Sequence, residues 1–222
     1  MGVQPALRRQ PDFSPTVIGN GMSAFYGGST GAHIRRVTIP LVYCDFLSMY
    51  PSVNTLMGLW RFITAKQIEV KDAMDEIIHL LGRINKDQLF KPNTWRRMPA
   101  FVQIEPQGDV LPARAVYDDV AKSWQVGVIH VHAEASGGKL WYALPDVVAA
   151  VLLTGNVPRV LRAVRLVPKG KMRGLRPVML GGKVLVDPRK TDFFKTVIEE
   201  RKSLSKLTDI TDEERSRLDR FF

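Results

Sequence analysis

The chain has 222 residues, 45% of them hydrophobic, and a formal charge of +10 at neutral pH. That size suits one large domain or two small ones, and the apolar share excludes a mainly disordered or fibrous chain. The basic balance suits a polyanionic partner, no apolar run is long enough to span a bilayer, and a lone cysteine, Cys44, rules out an internal disulfide and fits a reducing compartment.

Residues 1–20 read as an irregular lead-in punctuated by Pro5, Pro11 and Pro15. Met1–Pro15 has no apolar core and is not a secretory signal, and Ala6 stands where the myristoylation pattern needs Ser or Thr. The stretch Phe25-Tyr26-Gly27-Gly28 pairs glycines with aromatics, as a hairpin turn or a close backbone approach requires, and Arg35 and Arg36 follow. Leu41-Val42-Tyr43-Cys44 is a short apolar run with the composition of a buried strand, which predicts an inert, buried Cys44 thiol. The run ends in Asp45 at a turn before Pro51, where a rigidly held carboxylate still reaches solvent and suits Mg²⁺. Taken alone, an Asp there is equally an ordinary turn residue.

Residues 53–63 are apolar enough to form a helix beneath that carboxylate. The spacing of Ala73, Met74, Ile77, Ile78 and Leu81 predicts a helix over 70–84, ended near Gly82, with His79 on its outer side. Residues 85–140 mix Pro, Gly and β-prone runs at 100–104, 113–117 and 124–131, which predicts a small antiparallel patch. His130 and His132 would share a strand face, but no third ligand accompanies them. Asp118-Asp119 reads as a strand-ending turn. A helix is expected over 141–154, with Pro145 in its first turn and Gly155 after its end. Extended segments follow at 157–167 and 175–186, joined by the basic turn 168–174. Thr191 is the expected N-cap of a helix whose face carries Phe194, Val197, Ile198 and Leu204, and Thr211 to Glu214 forms a capping box for another helix running to Phe222.

The string Asp45-x-x-Ser48-x-Tyr50-Pro51-Ser52 resembles the first catalytic motif of family B DNA polymerases, with Met49 in place of the usual Leu. Phe25 to Gly28 is similar to the Tyr-x-Gly-Gly motif that precedes it in that family, with Phe25 replacing the Tyr. Residues 193–206, with Glu200-Arg201-Lys202, resemble the first fingers helix. The resemblance implies an α+β fold: part of a polymerase palm, a mixed or antiparallel sheet with helices, followed by an antiparallel pair of fingers helices that the chain leaves incomplete. It divides the chain into a lead-in (1–20), a palm segment with the first motif (21–66), an inserted α+β region (67–140), a palm continuation (141–190) and fingers helices (191–222).

The same resemblance implies the roles. Asp45 would be catalytic and would bind Mg²⁺ through its carboxylate, and Phe46 through its carbonyl. Leu47, Ser48, Met49 and Tyr50, with Arg201, Lys202 and Lys206, would bind the incoming nucleotide, and Phe25, Tyr26, Gly27 and Gly28 would touch DNA. The family places a second cation one turn after the Arg; Ser205 stands there, so Lys206 is offset by one residue, about 100° around a helix. The reaction implied is two-metal transfer of a nucleotide from a dNTP to a primer 3′-hydroxyl, in a cytoplasmic setting such as nucleoid-associated, viral or plasmid replication.

The later motifs, Lys-x-x-x-Asn-Ser-x-Tyr-Gly and Tyr-x-Asp-Thr-Asp, do not occur in the 222 residues. The expectation is therefore a fragment or one half of a split enzyme, inactive alone, with its second carboxylate supplied by another chain. The alternatives are a non-catalytic nucleic-acid-binding module derived from such an enzyme, and a reverse-transcriptase-like site joining Asp45 to Asp118 and Asp119.

Overall fold

The computed structural model describes residues 13–24, 34, 36–46, 48–105, 107, 111, 140–180, 184–204 and 211–212. The expectations for Phe25 to Gly28, Leu47, Asp118, Asp119, His130, His132, Lys206, residues 113–117 and 124–131, and the helix leading to Phe222 lie outside them. The described residues form an α+β protein with an antiparallel sheet and helices. They fall into two compact units. One takes Pro11–Tyr43 with Ile68–Val167, the other Cys44–Gln67 with Pro168 onward. The expected insertion, 67–140, thus shares a unit with the first part of the expected palm continuation, and the remainder of that continuation belongs with the first-motif segment.

In the first unit, helix α1 spans Pro15–Ala24, beginning in the expected irregular lead-in, 1–20, and running into the expected palm segment. Pro15 supplies a preset φ at a position whose N–H would be unsatisfied anyway. The Ser14 hydroxyl accepts the Val17 N–H at 3.4 Å, and its carbonyl takes the Ile18 N–H. Prolines read as breakers therefore include one that starts a helix. The expected helix 70–84 also divides. Its front is strand β1, Gln67–Asp72, and only Met74–Leu81 is helical, as α4. Asp72 marks the join, its carboxylate accepting the Met74 N–H at 3.1 Å. Ile77, Leu80 and Leu81 are buried, whereas Ile78 and His79 are exposed. Short helices α5 (Lys86–Leu89) and α6 (Pro92–Trp95) lead to β2, Ala100–Glu105.

Strand β3, Leu140–Ala143, occupies the start of the expected helix 141–154, and the helix proper, α7, is Leu144–Thr154. It ends at Gly155, whose φ of 75° is the left-handed conformation a glycine adopts freely. Strand β4, Arg159–Lys169, completes a sheet of order β1-β4-β2-β3. Tyr142 and Ala163 flank Val102 directly, and all three are buried. Alternation places Gln103, Trp141 and Arg162 on the opposite face. Helix α7 lies against β2 and β3 and buries Leu144, Val147, Val148, Ala150 and Val151. Helix α1 also lies against these two strands, with Gly21 beside the Phe101 ring.

The second unit begins with α2, Met49–Met57, and α3, Trp60–Ile63, separated at Gly58, where φ is 67°. The expected helix 53–63 therefore starts earlier and breaks once. The hairpin β5 (Val178–Leu180) and β6 (Val184–Val186) lies within the expected extended segment 175–186. Helix α8, Phe193–Leu204, follows. Its cap is Asp192, not the expected Thr191: the Asp192 carboxylate accepts the Phe194 and Lys195 N–H groups at 3.0 and 3.3 Å. Both residue types cap well, and the one immediately before the first helical residue does so here.

Candidate functional site

The segment before Asp45 departs most from expectation. Residues 38–46 form neither helix nor strand, and Leu41, Val42 and Tyr43 are 83, 85 and 86% exposed. Cys44, expected to be buried, is exposed as well. The composition suits a strand, but a strand needs a neighbour to satisfy its N–H and C=O groups, and none pairs with this segment among the described residues.

Asp45 is exposed, and its Oδ1 accepts the N–H of Phe46 at 2.8 Å. The Phe46 carbonyl accepts the Met49 N–H at 3.2 Å, closing a tight turn. Within that turn Ser48 has φ 55° and ψ 35°, a left-handed conformation that is costly for a residue with a Cβ. The Ser48 carbonyl accepts the Ser52 N–H at 2.9 Å and starts α2. Pro51 sits in the first turn, where it sacrifices no intrahelical hydrogen bond. The Met49 and Ser52 N–H groups are taken and Pro51 has none, so what this helix start offers an anion is chiefly the positive end of the helix dipole. The rings of Phe46 and Tyr50 stand mostly in solvent beside this helix start.

Helix α8 packs against α2 in the same unit. Trp60 fixes the pair. Its ring lies 5.6 Å from that of Phe193 and 6.0 Å, edge-on, from that of Phe194. Its Nε1 donates to the Pro188 carbonyl at 3.2 Å. With α8 so held, Arg201 reaches back and donates from Nη1 to the Ser48 hydroxyl oxygen at 3.0 Å. Lys202, the next residue on the helix, is exposed. The basic turn after β4 is tied to the end of α3: Lys171 Nζ donates to Thr64 Oγ1 at 2.7 Å and the Met172 N–H to the Thr64 carbonyl at 3.0 Å.

Of the residues singled out from sequence, Asp45, Phe46, Ser48, Met49, Tyr50 and Arg201 thus belong to one unit, with Arg201 joined to Ser48 across 153 positions of chain. Trp60, Phe193 and Pro188 hold this arrangement, and none of them was singled out as a site residue. Their signal was an aromatic pair opening a helix and a tryptophan within the apolar stretch 53–63. The site offers an exposed carboxylate, a carbonyl, a helix start and a guanidinium, a set suited to a hard cation and a phosphate. Among the described residues no three His, Cys, Asp or Glu side chains gather into a metal-holding group.

Fold and site together define an α+β protein with an antiparallel sheet and a solvent-facing carboxylate beside a helix start. No protein-family model, curated protein or solved structure matches the chain. No helix among the described residues is long and apolar enough to cross a membrane.

Proposed function

We propose that this chain is a fragment or split part of a DNA-directed DNA polymerase of the family B type, completed by a partner segment, on the same or another chain, that carries the remaining catalytic motifs. The observation that carries the reading is the Arg201–Ser48 hydrogen bond at 3.0 Å. Two segments that resemble separate polymerase motifs meet there, and the meeting puts a cation beside the helix start next to Asp45.

In this reading Asp45 and the Phe46 carbonyl hold Mg²⁺, which when bound neutralises charge on the reacting phosphates. One carboxylate fits a cation that is held by one or two protein carboxylates together with substrate phosphate and water. The second carboxylate comes from the partner. The positive end of the α2 dipole at Ser48 to Tyr50 and the Arg201 guanidinium bind the triphosphate, and the Tyr50 ring lies under the sugar. DNA primer-template is the other substrate, and Phe25 to Gly28 contribute to holding it. The apolar segment Leu41–Cys44 gains its ladder neighbour from the partner, which also explains strand-forming residues left in solvent.

The test is equilibrium binding of a dNTP with and without Mg²⁺, together with primer extension. Wild type alone should bind nucleotide weakly, in a Mg²⁺-dependent way, and extend no primer. Asp45→Asn should remove the Mg²⁺ dependence. Nucleotide binding indifferent to both Mg²⁺ and Asp45→Asn sinks the proposal. Mg²⁺-independent duplex binding without any nucleotide binding indicates a non-catalytic nucleic-acid-binding module.

A further inference from the structure

A second surface, in the other unit, is independent of the polymerase reading. The row Trp141, Gln103 and Arg162 runs straight across β3, β2 and β4 on one face of the sheet. Arg162 reaches over the middle strand until its Cζ lies 5.9 Å from the centre of the Trp141 ring, within the range of a cation–π contact. The three arginines of β4 differ in their partners. Arg159 pairs with Glu105, and Arg165 pairs through two nitrogens with Glu76. Arg162 meets no carboxylate among the described residues, although it is exposed. Its charge is spent on an indole face, which leaves its outer N–H groups unneutralised. Trp141 and Gln103 beside it are only partly covered. A flat cation, a large flat ring and a side-chain amide thus share one row, exposed at Arg162 and partly covered at Gln103 and Trp141, two residues along from Phe101 where α1 packs on the same face, on a chain of net charge +10.

We propose that this row binds single-stranded nucleic acid. A base stacks on the Trp141–Arg162 pair, the Gln103 amide meets the base edge, and Arg162 meets the adjacent phosphate. Stacking of this kind tolerates every base, because each has a π-face, and it combines naturally with a cationic surface. A duplex offers no free base face to such a row.

The experiment measures binding of the full chain to a fluorescently labelled oligothymidylate of about 15 nucleotides, to an abasic oligonucleotide of equal length and to a duplex. The abasic strand has the same phosphates and no bases. The oligothymidylate should bind about tenfold more tightly than the abasic strand. Trp141→Ala should erase that preference, and Trp141→Phe should keep most of it. Arg162→Gln, an exposed substitution whose retained fold circular dichroism checks, should weaken oligothymidylate binding about tenfold and make its salt dependence less steep. Equal binding of the abasic strand overturns the proposal, as does a folded Arg162→Gln protein that binds as wild type. If Trp141→Ala does not fold, the Arg162→Gln and Trp141→Phe proteins decide. Asp45→Asn should leave all these affinities unchanged, so this surface and the polymerase reading fail separately.

Discussion

Replacing Trp60 tests whether the aromatic clasp on α8 positions Arg201. Trp60 contacts two phenylalanine rings and donates one hydrogen bond, to the Pro188 carbonyl. Truncating a fully buried Trp to Ala costs about 3–5 kcal/mol. Trp60 is half-buried, which takes that figure to about 2 kcal/mol, and the lost ring contacts add about 1 kcal/mol more. Trp60→Ala should therefore cost about 3 kcal/mol. Trp60→Phe retains ring contacts and loses the hydrogen bond, for about 1 kcal/mol. Urea denaturation followed by circular dichroism reads both values. The functional readout is Mg²⁺-dependent dNTP binding, which should weaken about tenfold in Trp60→Ala, a loss of about 1.4 kcal/mol, and little in Trp60→Phe. A folded Trp60→Ala protein with wild-type nucleotide affinity would refute the claim that this cluster places Arg201. A stability loss below about 1 kcal/mol would refute the packing estimate.

Other outcomes follow from single positions. Ile77 is fully buried on α4, so Ile77→Ala should lower unfolding stability by about 2–5 kcal/mol in urea titration. Gly155→Ala meets no atom within 4 Å yet must adopt φ 75°, and should cost about 1 kcal/mol through backbone strain alone. Cys44 is exposed, so one thiol equivalent should react with a thiol reagent in the native protein, and a bound partner chain should slow that reaction.

Local signals were readable wherever the chain settles its own backbone. The first-turn Pro145 of α7 and its stop at Gly155 follow from proline's fixed φ and glycine's freedom at positive φ, and both stand where the pattern put them. The strand at 100–104 was legible as a β-prone run, and it runs one residue further, to Glu105. Boundaries set by competition were not legible. Residues 70–72 and 141–143 were read into the helices that follow them, but each belongs to a strand paired within the sheet, and ladder hydrogen bonds outweigh a weak helical preference. Thr191 and Asp192 are both good caps, and only the register of α8 distinguishes them.

By itself the sequence determined the Asp45 to Ser52 string, the basic balance and the β-prone run that becomes β2. Only tertiary structure decided that Leu41–Cys44 stands in solvent, because a strand exists through its neighbour and not through its composition. Tertiary structure also decided that Arg201 meets Ser48, since the clasp of Trp60, Phe193 and Phe194 joins positions no local pattern connects. The same holds for Arg162 and Trp141, which strand register alone brings together.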